Sequence, residues 1–513
     1  MAIFYEPGCG EVSTLGSGPE LMIAFDNTYT SLPEKFYVRV KPEEVSQPQL
    51  FAFNEELARK LGLDLSSFSE EQRAALFTGQ SLPEGASSLS LAYAGHQFGQ
   101  FNPQLGDGRA LLLGEVLAPD GKRYDIQLKG SGATPWSRGG DGKSWVGPVI
   151  REYILSEAMH HLGVPTTRAL AAATTGDPVY RESPLPGGIF TRVASSHIRI
   201  GTFEFFAARR DIESLRRLAD YSIDRHYPQC KQAENPYLAF LEEVGRKHAA
   251  LVAKWMSLGF IHGVMNTDNM SISGETIDYG PCAFMDTFSN EKVFSSIDRG
   301  GRHAYGNQIR IAQWNLVQLA NCLVPLVDPD SSRSVEKLQE CIGPLDVYDE
   351  EWLRKMAAKF GIFEPRPEDA KIVQTFLSYL EQQRLDFTIE FRRLTDSIDA
   401  AYARDSLKDN EDKYQEYQNH GPKDFREMWL KRLEEQPQSL EQAAERMRRS
   451  NPVYIPRNHQ VERAIQAGVA GDYSVFDRMN ECLQAPFERR QDFAEFELAP
   501  EPEEEVRATF CGT

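Results

Sequence analysis

A chain of 513 residues, 41% hydrophobic and 26% charged, has the composition of a globular protein with room for two to four domains. Its formal net charge of −19, from 56 basic and 75 acidic residues, excludes a surface devoted as a whole to nucleic acid or an anionic membrane, because both demand positive potential. A local basic cleft is compatible with that balance.

The opening segment MAIFYEPGCGEVSTLG has no basic stretch followed by an apolar core and is not Arg-rich, so neither a secretory signal nor a mitochondrial presequence is read there. No run approaches the ~18–20 apolar residues of a membrane span. A cytoplasmic protein without membrane or nucleic-acid partners is expected. Seven cysteines (Cys9, Cys230, Cys282, Cys322, Cys341, Cys482 and Cys511) are scattered without a CxxC pair, which argues against a zinc ribbon and against a dense disulfide framework.

In chain order, the first 85 residues read as a cap region with a helical stretch near Glu55–Leu63. From Leu91 the sequence turns glycine-rich (LAYAGHQFGQFNPQLGDGRA). Strands are expected over Ala110–Leu117 and Arg123–Lys129, joined through Pro119-Asp120-Gly121, a hairpin signal. Alternation places Tyr124, Ile126 and Leu128 on one face of the second strand and Asp125, Gln127 and Lys129 on the other. The pattern predicts a helix over Val149–Leu162, stopped by Pro165. It also predicts a long amphipathic helix over 235–257, with Leu241, Val244, His248, Leu251, Val252 and Trp255 at helical spacing. GFIHGVMNTDNMSISGETIDYG then reads as loop, short strand, turn and strand. After Ile309 the sequence is mostly helical and increasingly charged, closing with the loop-like NPVYIPRNH and an acidic tail. Strands first and helices afterwards is the order of an α+β, two-lobed fold.

The chemistry begins at Gly106-Asp107-Gly108-Arg109, which leads into the first strand. Glycines let the backbone approach phosphates, and consecutive N–H groups can cradle an anion; a tight turn explains the same residues equally well. Lys129, on the polar face of its strand, reads as a phosphate contact, with a solvated edge lysine as the plainer alternative. A second glycine-rich turn follows at Asp141-Gly142. The 149–162 helix offers Glu152 and Glu157 as partners for Lys129, and periodicity does not choose between them.

The strongest local signal is His262-Gly263-Val264-Met265-Asn266-Thr267-Asp268-Asn269, followed by Ile277-Asp278-Tyr279-Gly280. It is similar to the catalytic loop and metal-binding segment of kinases, in which an asparagine and an aspartate hold Mg²⁺ against a triphosphate and a further carboxylate takes the acceptor's proton. The usual catalytic aspartate position holds Val264, which cannot accept a proton. The carboxylate is displaced to Asp268.

These blocks, with YAGHQFGQF, LGDGRA, RGGDG, REYILSEAMHHLGVPTTRAL, TRVASSHIRIGTFEFF, TIDYGPCAFMD and NPVYIPRNH, resemble the selenoprotein O family of protein adenylyltransferases from about residue 90 to 460. The resemblance implies a bilobal protein-kinase-like fold: an N-terminal extension (1–85), an N-lobe (86–200), a C-lobe (201–400) and a C-terminal helical extension with an acidic tail (401–513). It implies that ATP binds reversed relative to a kinase, with the γ-phosphate buried and the α-phosphate facing the acceptor. AMP then passes to Ser, Thr or Tyr hydroxyls of proteins. By the same match Gly106, Gly108, Arg109, Lys129, Asp141, Gly142, Arg192, Arg199 and Asp278 hold the nucleotide, Asn269 and Asp278 hold Mg²⁺ or Mn²⁺, Asp268 is the base and Glu152 orients Lys129. UTP is an alternative donor, and a monomer is expected. Where many members carry selenocysteine this chain has Cys511, and a redox-sensitive Cys282–Cys511 disulfide is expected from the family's use of that position; spacing alone favours the alternative of two unrelated free thiols. A conventional kinase and an ATP-binding pseudokinase scaffold are the competing readings. Val264 weakens the first, and the retained Lys129, Asn269 and Asp278 weaken the second.

Overall fold

The computed structural model describes residues 23–342, 346–404 and 420–510. Cys9 and Cys511 lie outside the described residues. Ten strands, interleaved with the helices Glu55–Lys60, Glu70–Phe77 and Val146–His161, precede the mainly helical part: Tyr37–Arg39 (β1), Gln49–Phe53 (β2), Leu89–Leu91 (β3), Gly95–Gln97 (β4), Gln100–Asn102 (β5), Ala110–Leu117 (β6), Arg123–Lys129 (β7), Ser144–Trp145 (β8), Arg168–Tyr180 (β9) and Pro184–Ala194 (β10). Eight of them form an antiparallel sheet in the order β1-β3-β6-β7-β10-β9-β2, with β8 on β10, while β4 and β5 form a small hairpin of their own. The expected hairpin is β6–β7, closed by the Ala118 N–H to Lys122 O bond of 2.8 Å, with Gly121 at φ +77°. β1 and β2, from the first 85 residues, form the two edges of the sheet.

The alternation in β7 has a physical counterpart. Ile126 and Leu128 sit in an apolar cluster with Leu57 and Leu61, from the Glu55–Lys60 helix and its C-cap, and Leu76 and Phe77, from the Glu70–Phe77 helix. Gln127 and Lys129 face the other way. Because β7 is paired on both sides, Lys129 is not an edge residue.

The helix expected over 149–162 spans Val146–His161. Pro148 is tolerated in the added turn because the first N–H groups of a helix have no intrahelical partner. Its two sides are both buried, one against β9 and β10 and one against the C-terminal helices Asn458–Val469 and Ser474–Leu483, so almost every residue of it is covered. The Pro236–Ser257 helix is capped by Asn235, whose side chain accepts from the N–H groups of Tyr237 and Leu238, and all six residues expected on its apolar face are buried. It runs through the centre of a mainly helical C-terminal half. The short strands Phe260–Ile261 (β11) and Ala283–Phe284 (β12) pair at its end and bracket the loop that carries Asp268 and Asp278. The architecture is α+β. No helix among the described residues is long and apolar enough to cross a membrane.

Candidate active site

A cavity of about 560 Å³ is lined on one side by the sheet and on the other by the 262–281 loop. It gathers Gly106, Gly108, Arg109, Lys129, Asp141, Gly142, Glu152, Arg192, Arg199, Asp268, Asn269 and Asp278, together with Val264. These residues come from six separate stretches of chain. Seven cationic and five acidic residues line it, an excess of positive charge in a protein of net charge −19.

Asp278 is the hub. Its Oδ1 accepts from Lys129 Nζ at 2.9 Å and from Arg192 Nη1 at 2.8 Å, and its Oδ2 from Arg199 Nη1 at 2.9 Å. Burial works to raise its carboxyl, but the three cations win and hold it well below the usual carboxylate range. Asp278 also adopts φ +65°, sparsely populated by non-glycine residues and sustained here by the three ion pairs. Lys129 pairs in addition with Glu152. Arg192 and Arg199 are 1% and 2% exposed. Arg192 Nε donates to Gln127 Oε1 at 2.7 Å, and Gln127 Nε2 donates to Asp107 Oδ2 at 3.0 Å. Arg199 lies over the Tyr93 ring at 4.5 Å and donates to the Asp268 carbonyl at 2.8 Å. Asp107, Gln127 and Tyr93 were not singled out from the sequence. Polar residues at buried register positions beside Lys129 and Arg192 were the available signal.

The choice between the two helix glutamates is decided by packing. Glu157 accepts from Arg168 at 2.8 and 2.7 Å, from the Ala169 N–H at 2.8 Å and from Asn54 at 2.9 Å, so it ties the helix to β9 on the far side from the cavity.

Asp268 sits in a 3₁₀ turn, Thr267–Asn269, that the β4–β5 hairpin covers. Gln97 Nε2 donates to Asp268 Oδ2 at 3.2 Å, the His96 N–H to Thr267 Oγ1 at 2.7 Å and the Phe98 N–H to Asn266 Oδ1 at 2.9 Å. Glu204 clamps the pair from below, 2.5 Å from both His96 Nδ1 and Thr267 Oγ1. A Cβ on Gly95 would come within 2.8 Å of Asp268 Oδ1, so the hairpin closes this tightly only with glycine there. Burial pushes the Asp268 carboxyl up to about 6 against the opposing pull of Arg199, and its buried Oδ1 has no hydrogen-bond partner. The sequence block YAGHQFGQF is therefore the support of Asp268, a role its glycines and amides do not declare locally.

The glycine turn differs from a row of free donors. The N–H groups of Gly106, Asp107 and Gly108 bond to Tyr93 O (3.1 Å), Leu91 O (2.9 Å) and Gly106 O (3.0 Å). What the turn offers is absence of bulk. A Cβ on Gly106, at φ +69°, would lie 2.3 Å from the Trp136 ring. Asp141 is at the cavity mouth, paired with Arg181 at 2.8 Å, which holds its carboxyl low.

Asn269 and Asp278 are hard oxygen donors of the kind a divalent metal takes when phosphates and water complete its shell. Asn269 spends its N–H on the Val264 carbonyl at 2.9 Å, which leaves the amide oxygen as the free end of the group. The residues present fit such an ion. Cys282 is fully buried, and burial pushes its thiol up to about 12.

Clustered cations around one low-lying carboxylate, with a second, higher-lying carboxylate beside it, suit a transferase that handles a nucleotide polyphosphate. The comparisons with known proteins agree with that class. A family model described as Protein adenylyltransferase SelO matches residues 19–484. A "Protein nucleotidyltransferase YdiU" of Rhizobium meliloti (strain 1021) is 53% identical over 491 residues, covering 95% of this chain and 99% of the relative. Proteins of the same name from Rhizobium etli (strain CIAT 652) and Rhodopseudomonas palustris (strain BisB5) are 50% and 51% identical over 96% and 95% of this chain. The chain belongs to the SelO family of protein adenylyltransferases. It is a nucleotidyltransferase whose reaction is AMP transfer, with ATP as substrate, a divalent metal ion as cofactor and proteins as acceptors.

Proposed function

We propose that the sheet and the helical half are the two lobes of a kinase-like fold, approximately 86–200 and 201–400 within flanking extensions, and that ATP occupies the cavity between them. Lys129, Arg192 and Arg199, with Arg109 at the end of the glycine turn, grip the polyphosphate. Asp141 and Gly142 shape the cavity mouth, and Glu152 orients Lys129. Asn269 and Asp278 hold Mg²⁺ or Mn²⁺, which when bound neutralises phosphate charge. Asp268 takes the proton of a Ser, Thr or Tyr hydroxyl as that oxygen attacks the α-phosphorus. The bond from the α-phosphorus to the bridging oxygen breaks, and pyrophosphate leaves. The product is AMP esterified to the protein oxygen.

The observation that carries this reading is the three-cation grip on Asp278 beside a carboxylate, Asp268, that no cation side chain neutralises directly. Phosphate-binding groups and a proton acceptor are thereby kept apart, as transfer to a hydroxyl requires. Incubation with ATP labelled separately at the α- and γ-phosphates tests it: α-label is expected on protein and γ-label in released pyrophosphate. Incorporation of γ-label alone would mean phosphoryl transfer.

Arginine identity gives a second test. A guanidinium gripping phosphate through two N–H groups is not replaceable by a point-charge ammonium. Arg192→Lys and Arg199→Lys are each expected to weaken ATP binding by at least about tenfold, the scale of one lost charge-assisted hydrogen bond. Titration calorimetry with a non-hydrolysable ATP analogue reads this directly, and unchanged affinity in both variants removes them from the site.

The Cys282–Cys511 pairing also stands as a proposal. Thr509 Oγ1 donates to Pro281 O at 2.5 Å and the Thr509 N–H to Phe294 O at 2.7 Å, so the chain two residues before Cys511 is bonded to the neighbour of Cys282. A buried thiol of raised pKa attacks slowly, so pairing needs local opening of that segment. Peptide mapping of oxidised protein is expected to yield a linked Cys282–Cys511 peptide and lowered activity that thiol reductant restores. Absence of that peptide ends the idea.

A further inference from the structure

A second cavity, about 660 Å³, lies among the C-terminal helices and shares no lining residue with the nucleotide cavity. Six cationic and two acidic residues line it, the reverse of the protein's overall balance of charge. Glu445 is taken by Arg448 (2.9 Å) and Arg449 (2.6 Å), and Arg354 is paired with Glu351 at 2.5 Å. Lys254, Lys355 and Arg446 are left without a carboxylate within ion-pair distance among the described residues. They converge from three helices, Pro236–Ser257, Asp346–Lys359 and Leu440–Ser450.

Three helices gain nothing by packing like charges together unless something else supplies the anion. The cluster opposes itself throughout. Burial and then Lys355 lower the Lys254 ammonium to about 8. Burial and then Arg354 lower the Arg446 guanidinium, whose buried Nε has no hydrogen-bond partner. One turn beyond Lys355, Lys359 is 1% exposed with no carboxylate in ion-pair distance among the described residues; its ammonium lies 4.1 Å from the centre of the Phe391 ring. A buried guanidinium nitrogen without a hydrogen-bond partner and three half-buried cations without a carboxylate around one cavity describe an anion site, since charge withdrawn from water is costly unless an opposite charge answers it; Arg446 has only the face of the Phe363 ring, at 4.6 Å.

We propose that this cavity binds a polyphosphate anion, a second ligand site remote from AMP transfer. Charge density selects the class. One carboxylate supplies a single charge, whereas a chain of two or three phosphates supplies three to five within the reach of Lys254, Lys355 and Arg446. Guanidinium forks and Ser450 and Gln442, which also line the cavity, are phosphate donors. The volume falls in the usual range of small-ligand sites, about 300–1,000 Å³.

Titration calorimetry of the full chain, its nucleotide cavity filled with a non-hydrolysable ATP analogue and Mg²⁺, tests the site with inorganic tripolyphosphate as probe. Saturable binding is expected, weakened by at least about tenfold in Arg354→Glu/Lys355→Glu and by less in Arg354→Gln/Lys355→Gln. Both residues are on an accessible helix turn; losing the exposed Arg354–Glu351 pair, worth about 1 kcal/mol or less, is offset by relief of repulsion among the cations, so the melting temperature of either variant stays within a few degrees of the parent's. An ADP arm identifies the source: tighter binding than tripolyphosphate assigns a nucleotide, equal or weaker binding an inorganic chain. Absence of binding, affinity equal in parent and variants, or tighter binding of a poly-glutamate peptide than of tripolyphosphate overturns the proposal, the last in favour of an acidic protein partner.

Discussion

Asp278→Ala is expected to abolish AMP transfer, with kcat/KM reduced by at least ~10³-fold, since as the proposed carboxylate ligand of the ion it would contribute several kcal/mol of charge stabilisation. The geometry adds a second consequence. In the folded protein this one carboxylate answers three cations, Lys129, Arg192 and Arg199. Without it, Arg192 keeps only the neutral Gln127 as a side-chain partner, and Arg199 keeps Asp107 at 3.7 Å. Removing one member of a buried ion cluster costs ~3–5 kcal/mol. Asp278→Asn, which preserves shape, is therefore expected to melt well below the parent in the absence of nucleotide. Calorimetric melting and a single-turnover transfer assay read the two effects separately. Parent-like stability would mean that the three cations are satisfied elsewhere, and parent-like transfer would remove Asp278 from the metal site.

Asp268→Ala should behave differently. Its side chain accepts one hydrogen bond, from Gln97, while the contact to Arg199 is made by its backbone carbonyl, which alanine retains. ATP affinity is expected to stay close to that of the parent. Transfer should slow by ~10²–10⁴-fold, the range of general-base catalysis. The buried, partnerless Oδ1 is the atom positioned for a proton, and a carboxyl raised to about 6 is a better acceptor than one at its ordinary value. A KM-against-kcat comparison decides the role: loss confined to kcat supports a base, whereas a matching loss of ATP affinity makes Asp268 a binding group. Transfer at the parental rate would end the assignment.

Much of this site was legible in the linear chain. Period-two alternation put Lys129 and Gln127 on one face of β7, because successive side chains of any strand point to opposite sides. The bounds of β6 and β7 followed from the Pro119-Asp120-Gly121 turn, whose chemistry is local. The spacing from His262 to Asp278 likewise placed hard oxygen donors along a short loop.

Partner choice was not legible in the periodicity, and only the family resemblance named Glu152. Glu152 and Glu157 lie on one helix buried on both sides, so its periodicity carries no direction. Only the packing of Val146–His161 between the sheet and the C-terminal helices turned Glu152 to Lys129 and Glu157 to Arg168. The glycine turn illustrates the same limit: the sequence announces a flexible backbone, but whether its N–H groups are free depends on Leu91 and Tyr93, a strand away. The support of Asp268 by Gly95, His96 and Gln97 joins residues about 170 positions apart. The sequence by itself determined which residues have the chemistry to hold a nucleotide and a metal, because side-chain type and backbone periodicity are properties of neighbouring residues. The tertiary structure alone decided which of them meet, how the hairpin closes over Asp268 and which cations are left without a carboxylate, because distances between remote segments are set by packing.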